Sequence, residues 1–189
     1  TIAAAAVAQA PADGNTLLFA VAANMAVAPA TMGNVPYVPT RDFTPIVEVA
    51  RGAYVLMVRA DAPATTYADF LRWVKARPGQ LNYASPGVGS VHHLAMEMLK
   101  SAQGMHLVHI PYRSSIYPPL LGGDVHVVLD SLPNPLPFFE AGRLRPLAVT
   151  GPVRLQRLPG VPTLAEVGVS GMEGVSSWWG FAGPAGLPR

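Results

Sequence analysis

Residues 81–100, LNYASPGVGSVHHLAMEMLK, read as a strand, a glycine-rich turn and a helix. Leu81 to Ala84 reads as a strand that ends in the glycine-rich turn. From Ser90 to Ala102 the apolar positions recur at helical spacing. Between them Ser85-Pro86-Gly87-Val88-Gly89-Ser90 places two glycines where the chain must turn sharply at the carboxyl end of a strand, and Ser90 stands where a helix N-cap is needed.

Outward from this unit the same alternation continues. Ahead of it, TIAAAAVAQA reads as the last turns of a helix, and Asp13-Gly14 turns into a buried strand, Asn15 to Val21. A proline-rich stretch from Pro29 to Pro45 is followed by two extended pieces, Ile46 to Ala50 and Tyr54 to Arg59. A helix over Thr65 to Ala76 carries a capping-box pattern at Thr66 and Asp69 and stops at Pro78-Gly79. Beyond residue 100 the pattern predicts strand Leu107 to Ile110, a short helix near Leu120, strand Val125 to Leu129, helix Leu136 to Ala141 and strand Leu144 to Thr150. A helix over Thr163 to Val167 precedes the aromatic run Val175 to Ala182. Strands alternating with helices at this spacing define an α/β fold with a mixed, mostly parallel sheet flanked by helices.

Composition narrows the function. Half of the 189 residues are apolar, charged residues make up 13 %, and the formal net charge is +2. No cluster of Lys or Arg could track a phosphate backbone, so nucleic acid is not an expected partner. With no cysteine there is neither a disulfide frame nor a thiolate nucleophile, and no metal or other cofactor is expected. Every longer apolar run is broken by Pro, Gly or charge short of the roughly 20 residues that span a bilayer.

The turn at Ser85, Gly87, Val88, Gly89 and Ser90 is the first candidate site. Successive amides there converge, and the helix behind them adds open N–H groups and a partial positive charge, a combination that holds a carboxylate without a cation. A plain strand-to-helix connection fits the glycines equally. His93 and Glu97 have the i, i+4 spacing of paired metal ligands, but His-Glu-x-x-His is absent, and His92 and His93 also fit as hydrogen-bonding groups beside the cap. Asp130 follows the strand Val125 to Leu129 and is placed at a carboxyl edge. There it would read a hydroxyl or ammonium, or else brace a loop. Trp178 and Trp179 fit core or hinge packing as well as a pocket wall.

Taken together, ADGNTLLFA, VPYVPTRDFTPIVEVA, LNYASPGVGSVHHLAMEMLK, HIPYRSS, LLGGDVHVVLDSLP, AGRLRPLAVTG, RLPGVPTLAEVG and SSWWGFAGPAGLP resemble, in order, the Bug or TctC-like substrate-binding proteins of tripartite tricarboxylate transporters. The resemblance implies a type II periplasmic binding protein fold of the Venus flytrap kind. It implies a periplasmic, non-enzymatic receptor that captures a small mono-, di- or tricarboxylate and delivers it to membrane permease subunits. The loop Ser85 to Ser90 matches the family's anion turn, His93 the histidine of the following helix, and Asp130 the aspartate after the later strand. Ala22, Ala23 and Asn24 match a first-domain loop that faces the ligand. Ser114 stands where the family has Gly.

The same resemblance places a partial first domain at 1–51, a nearly complete second domain at 52–174 and a return strand at 175–189. Hinge strands are expected near Tyr54 to Arg59 and Val175 to Ala182. No signal peptide is read in this sequence. Two other functions stay open: a hydrolase using Ser85 or Ser90 with His92 or His93, and a ligand-free sensor or partner-binding module on the same fold.

Overall fold

A computed structural model describes residues 1–188. In chain order its elements are α1 (Ile2–Ala8), β1 (Leu18–Val21), a π-helical segment (Ala23–Val27) that runs into α2 (Ala28–Thr31), α3 (Pro39–Asp42) and β2 (Phe43–Arg59). There follow α4 (Tyr67–Lys75), β3 (Asn82–Ser85), α5 (Val91–Gln103), β4 (Val108–Pro111), α6 (Tyr117–Gly122), β5 (Val127–Ser131), α7 (Leu136–Glu140), β6 (Leu144–Val149) and β7 (Ser176–Pro184). The chain divides into two compact units, one of Thr1–Arg51 with Ser177–Arg189, the other of Gly52–Ser176.

The larger unit is a mixed sheet. β3 runs parallel to β4 and β5, as strands joined through helices should, whereas β2 is antiparallel to both β5 and β6. The apolar run Tyr54-Val55-Leu56-Met57-Val58 lies on β2, and all five residues are buried. Period-two alternation divides them between two cores. Tyr54, Leu56 and Val58 pack with Phe70 and Val74 of α4 and Met96 and Leu99 of α5. Val55 and Met57 pack on the other side with Ile116 and Leu120, flanked by Phe138 and Phe139 of α7. A strand covered on both faces has no polar side to show, which is why the run is continuously apolar. Truncating Leu56 to Ala should cost about 2–5 kcal/mol in chemical denaturation, the lost transfer of a fully buried side chain plus the cavity left behind.

The helix ends follow their local chemistry. Thr66 accepts a hydrogen bond from Asp69 N, and Asp69 accepts one from Thr66 N, the reciprocal box expected from the sequence. Ser90 caps α5 by accepting from His93 N, and Gly104 ends that helix in the left-handed conformation.

Several expectations are revised. Ile46 to Ala50 and Tyr54 to Arg59 are parts of one 17-residue strand. Thr163 to Val167 is not a helix: Thr163 makes an isolated parallel bridge to Val149, and turns follow from Leu164. Thr163 N donates to Glu166 Oε2 and Glu166 N to Thr163 Oγ1, so the start signal forms, but Gly168 at φ 84° closes the segment after one turn.

In the smaller unit β1 is antiparallel to β7, with β2 beyond it. Ala4 and Val7 of α1 pack there with Leu18, Ala20, Tyr37, Phe43 and Ala182. The loop expected at Ala22 to Asn24 is helical from Ala22 onward. Asn24 folds back on the strand it follows, accepting from Val21 N and donating to Phe19 O.

Candidate functional site

The parallel pairing of β3 with β4 and β5 brings three strand ends to one sheet edge. The carboxyl edge of such strands is where open α/β sheets bind ligands. From it leave the turn 86–90, the segment carrying Arg113 and Ser114, and Asp130.

Ser85 is wholly buried and organises the turn instead of facing solvent. Its Oγ meets Gly87 N and Gly87 O, each at 3.1 Å, and His109 Nε2 at 2.7 Å. Gly87, at φ 149°, and Gly89, at φ 77°, adopt backbone angles that disfavour a side chain. Ser90 Oγ donates to Gly87 O and accepts from His93 N, while Ser90 N also donates to Gly87 O. Gly89 N donates to His93 Nδ1 at 3.3 Å.

These bonds correct one expectation. The amides of Gly87, Gly89 and Ser90, expected to receive the anion, are spent inside the turn. The N–H groups with no partner among the described residues are those of Val88, Val91 and His92. Val88 is 78 % exposed and lies at an accessible crest, whereas Val91 and His92 are partly buried. The turn holds its own shape and offers the first turn of α5, a position where a helix N-terminus favours negative charge.

Asp130 is buried at 3 % exposure, within β5. Its oxygens accept from His92 Nε2 at 2.8 Å, Ser131 N at 2.7 Å, Tyr117 Oη at 2.5 Å and Asn134 Nδ2 at 3.1 Å. Burial alone would raise this carboxyl. The hydrogen bonds from His92 and Tyr117 outweigh it and hold the group below the usual carboxylate range. Tyr117 is pushed far up by burial and then by the Asp130 charge. An ionised carboxylate only accepts, so His92 Nε2 carries a hydrogen. Asp130 thereby ties the first turn of α5 to the end of β5 through His92, whose ring also meets Tyr54 edge-on at 5.1 Å. Of the two roles read for Asp130, this geometry fills the bracing one.

Glu97 is engaged by Tyr83 Oη at 2.5 Å and Lys100 Nζ at 2.6 Å, so it is no metal partner for His93. Burial pushes its carboxyl up, but Lys100 and Tyr83 bring it below its ordinary range. Among the described residues no group of His, Asp and Glu could hold a metal ion. Ala23 and Asn24 belong to the smaller unit, and the turn, His93 and Asp130 to the larger. His109 and Tyr117 were not singled out from the sequence. Each becomes recognisable only when strand pairing sets it beside Ser85 or Asp130.

A self-braced turn at the carboxyl edge of a mixed α/β sheet flanked by helices places the chain in the class of periplasmic binding protein folds. Residues 1–189 match the family described as the tripartite tricarboxylate transporter family receptor, TctC, and the chain belongs to that family. A Pseudomonas sp. (strain P51) protein from the tcbD-tcbE intergenic region is 38 % identical over 186 residues, covering 97 % of this chain and 55 % of that protein. BugT of Bordetella pertussis is 32 % identical over 184 residues, 96 % of this chain and 56 % of its own. The chain thus spans about half the length of these curated relatives.

Among solved structures, an R. palustris protein with adipate superposes with a TM-score of 0.90 at 37 % identity, covering 100 % of this chain and 63 % of that one. MatC of Rhodopseudomonas palustris, with bound malate, gives 0.85 at 28 % identity, covering 100 % and 64 %.

Proposed function

We propose that this chain forms the ligand-holding part of a periplasmic solute-binding protein that captures a small organic carboxylate and passes it to the permease subunits of a tripartite tricarboxylate-type transporter. No bond is made or broken. The observation that carries the reading is the set of unpaired amides at Val88, Val91 and His92, on a turn braced from behind by Ser85 and Asp130. Related proteins solved with adipate and malate support carboxylates as the ligand class. No helix among the described residues is long and apolar enough to cross a membrane, in keeping with a receptor that meets its permease from outside the bilayer.

The test removes one open amide without disturbing the helix. Val91 is the first residue of α5, and Ser90 before it sits at φ −71° and ψ 158°, the backbone that precedes proline most easily. Val91→Pro should therefore fold like the parent but bind its best carboxylate about tenfold or more weakly, the loss expected for one charge-assisted hydrogen bond. Calorimetry against a panel including adipate and malate reads this out. A parent that binds no member of the panel, or a variant that binds as tightly as the parent, would overturn the reading.

The geometry does not favour a hydrolase. Ser85 is fully buried, its histidine is His109 rather than His92 or His93, and no carboxylate hydrogen bond to the His109 ring is seen among the described residues. Ser90 Oγ is held by Gly87 O and His93 N. A ligand-free module on the same fold would show no carboxylate-dependent stabilisation in the same panel.

A further inference from the structure

The Ser85 hydroxyl faces three polar groups at once, Gly87 N, Gly87 O and His109 Nε2. A hydroxyl donates one hydrogen and accepts two. Gly87 N can only donate and Gly87 O can only accept, so the hydrogen goes to the carbonyl and one lone pair takes the amide. The remaining lone pair must accept from His109. All three contacts close together only when Nε2 carries a hydrogen. In the opposite neutral tautomer the ring would take the Ser85 hydrogen and the Ser85–Gly87 O contact would be lost, the carbonyl keeping only its bonds from Ser90 N and Ser90 Oγ.

The surroundings hold this ring in place. His109 lies opposite Tyr83 in the β3–β4 register, stacks on its ring at 4.8 Å and rests against His93 at 4.3 Å. Glu97 and Lys100 of α5 also face it, and they are paired with each other. Burial first, and then His93, keep His109 below the ordinary imidazole range, so the ring is neutral at pH 7.

We infer that His109 is the positioning residue of the anion turn, its Nε2–H fixing Ser85 Oγ so that Ser85 holds both the amide and the carbonyl of Gly87. His109 touches no ligand in this role. It sets the course of the chain from which the Val88, Val91 and His92 amides project. Only the effect on ligand rests on the carboxylate reading; the tautomer and the order of the turn do not.

The test has a ligand-free arm and a ligand arm. Long-range proton–nitrogen correlation spectra of the protein at about pH 7.5, where a free imidazole is neutral, should show His109 protonated on Nε2. Protonation on Nδ1 alone overturns the inference. Amide exchange at Gly87 should be about tenfold faster in His109→Phe, which keeps a stacking ring but has no N–H, and near the parental rate in His109→Gln, whose amide can donate to Ser85. Equal exchange in all three proteins, or equal loss in Phe and Gln, overturns it as well. With adipate as probe, His109→Phe should bind more weakly and His109→Gln near the parent, and unchanged affinity in His109→Phe removes the link to binding. A parent that does not bind adipate, malate or the rest of the panel sinks the carboxylate reading while the spectra still decide the role of His109.

Discussion

Asp130 shows how a buried charge can fix the position of a helix end. The carboxylate is buried, accepts from four residues and holds His92, so the first turn of α5 inherits its position from a side chain two strands' connections away in sequence. In Asp130→Asn the amide nitrogen would face donors and only one oxygen would remain to accept. We expect a loss of roughly 2–4 kcal/mol in chemical denaturation, the cost of donors left unmatched in the interior. A loss under about 0.5 kcal/mol, the level of an ordinary surface change, would mean the network is not holding the fold. Gly87 gives a contrasting case. An added Cβ would meet nothing within 4 Å, so the penalty of Gly87→Ala is conformational alone, at φ 149°. It should cost about 1–3 kcal/mol by the same measurement, and a neutral substitution would show that the turn can relax.

Helix α4 and helix α5 were legible because their ends carry signals that act within three residues. Thr66 and Asp69 satisfy one another's orphan amides, and Thr66→Ala should cost about 1 kcal/mol, with faster amide exchange confined to the first turn of α4. Uniform loss of protection through the larger unit would place the box in the global folding balance instead. The segment Thr163–Val167 carried the same kind of start signal, and the reciprocal bonds did form. Helix propagation needs more residues than the stretch before Gly168 provides, so a correct cap produced only a turn. The merging of two predicted strands into β2 has a different cause. The gap between them, residues 51–53, is extended as well, and from Tyr54 through Arg59 pairing with β5 and β6 holds the backbone in the sheet.

The two units differ in how much apolar surface they bury. The larger encloses two clusters that fill both faces of its sheet, and the smaller has one modest cluster around Tyr37 and Phe43. Amide exchange should therefore be slower in β2 from Tyr54 onward, β3 and β5 than in β1, and the reverse order would contradict this account of the cores. Acid should also weaken the larger unit. His109 and His126 are both held below the ordinary imidazole range, chiefly by burial, so the folded chain binds fewer protons than the unfolded one as pH falls. Their contribution is complete above the unfolded value near about 6.5 and is lost as pH drops through the lower folded values. Thermal midpoints recorded from about pH 7.5 down to about pH 5 should decline. Replacing both histidines by Gln should flatten that limb, and a midpoint that rises on acidification would refute the sign.

The α/β class, the main helices, the turn at Ser85 to Ser90 and the family resemblance all came from the order of residues alone. Each depends on local rules, the spacing of apolar side chains, caps reaching three residues and glycines at positive φ, or on motifs that run in sequence. Tertiary structure decided which amides stay open, because Ser85 Oγ, His93 Nδ1 and Gly87 O take those of Gly87, Gly89 and Ser90 at distances that only the fold sets. It also decided that Asp130 braces and that His109 matters. Both roles arise from parallel strand pairing, which brings residues 24 and 38 positions apart within hydrogen-bond reach, and no local pattern records that register.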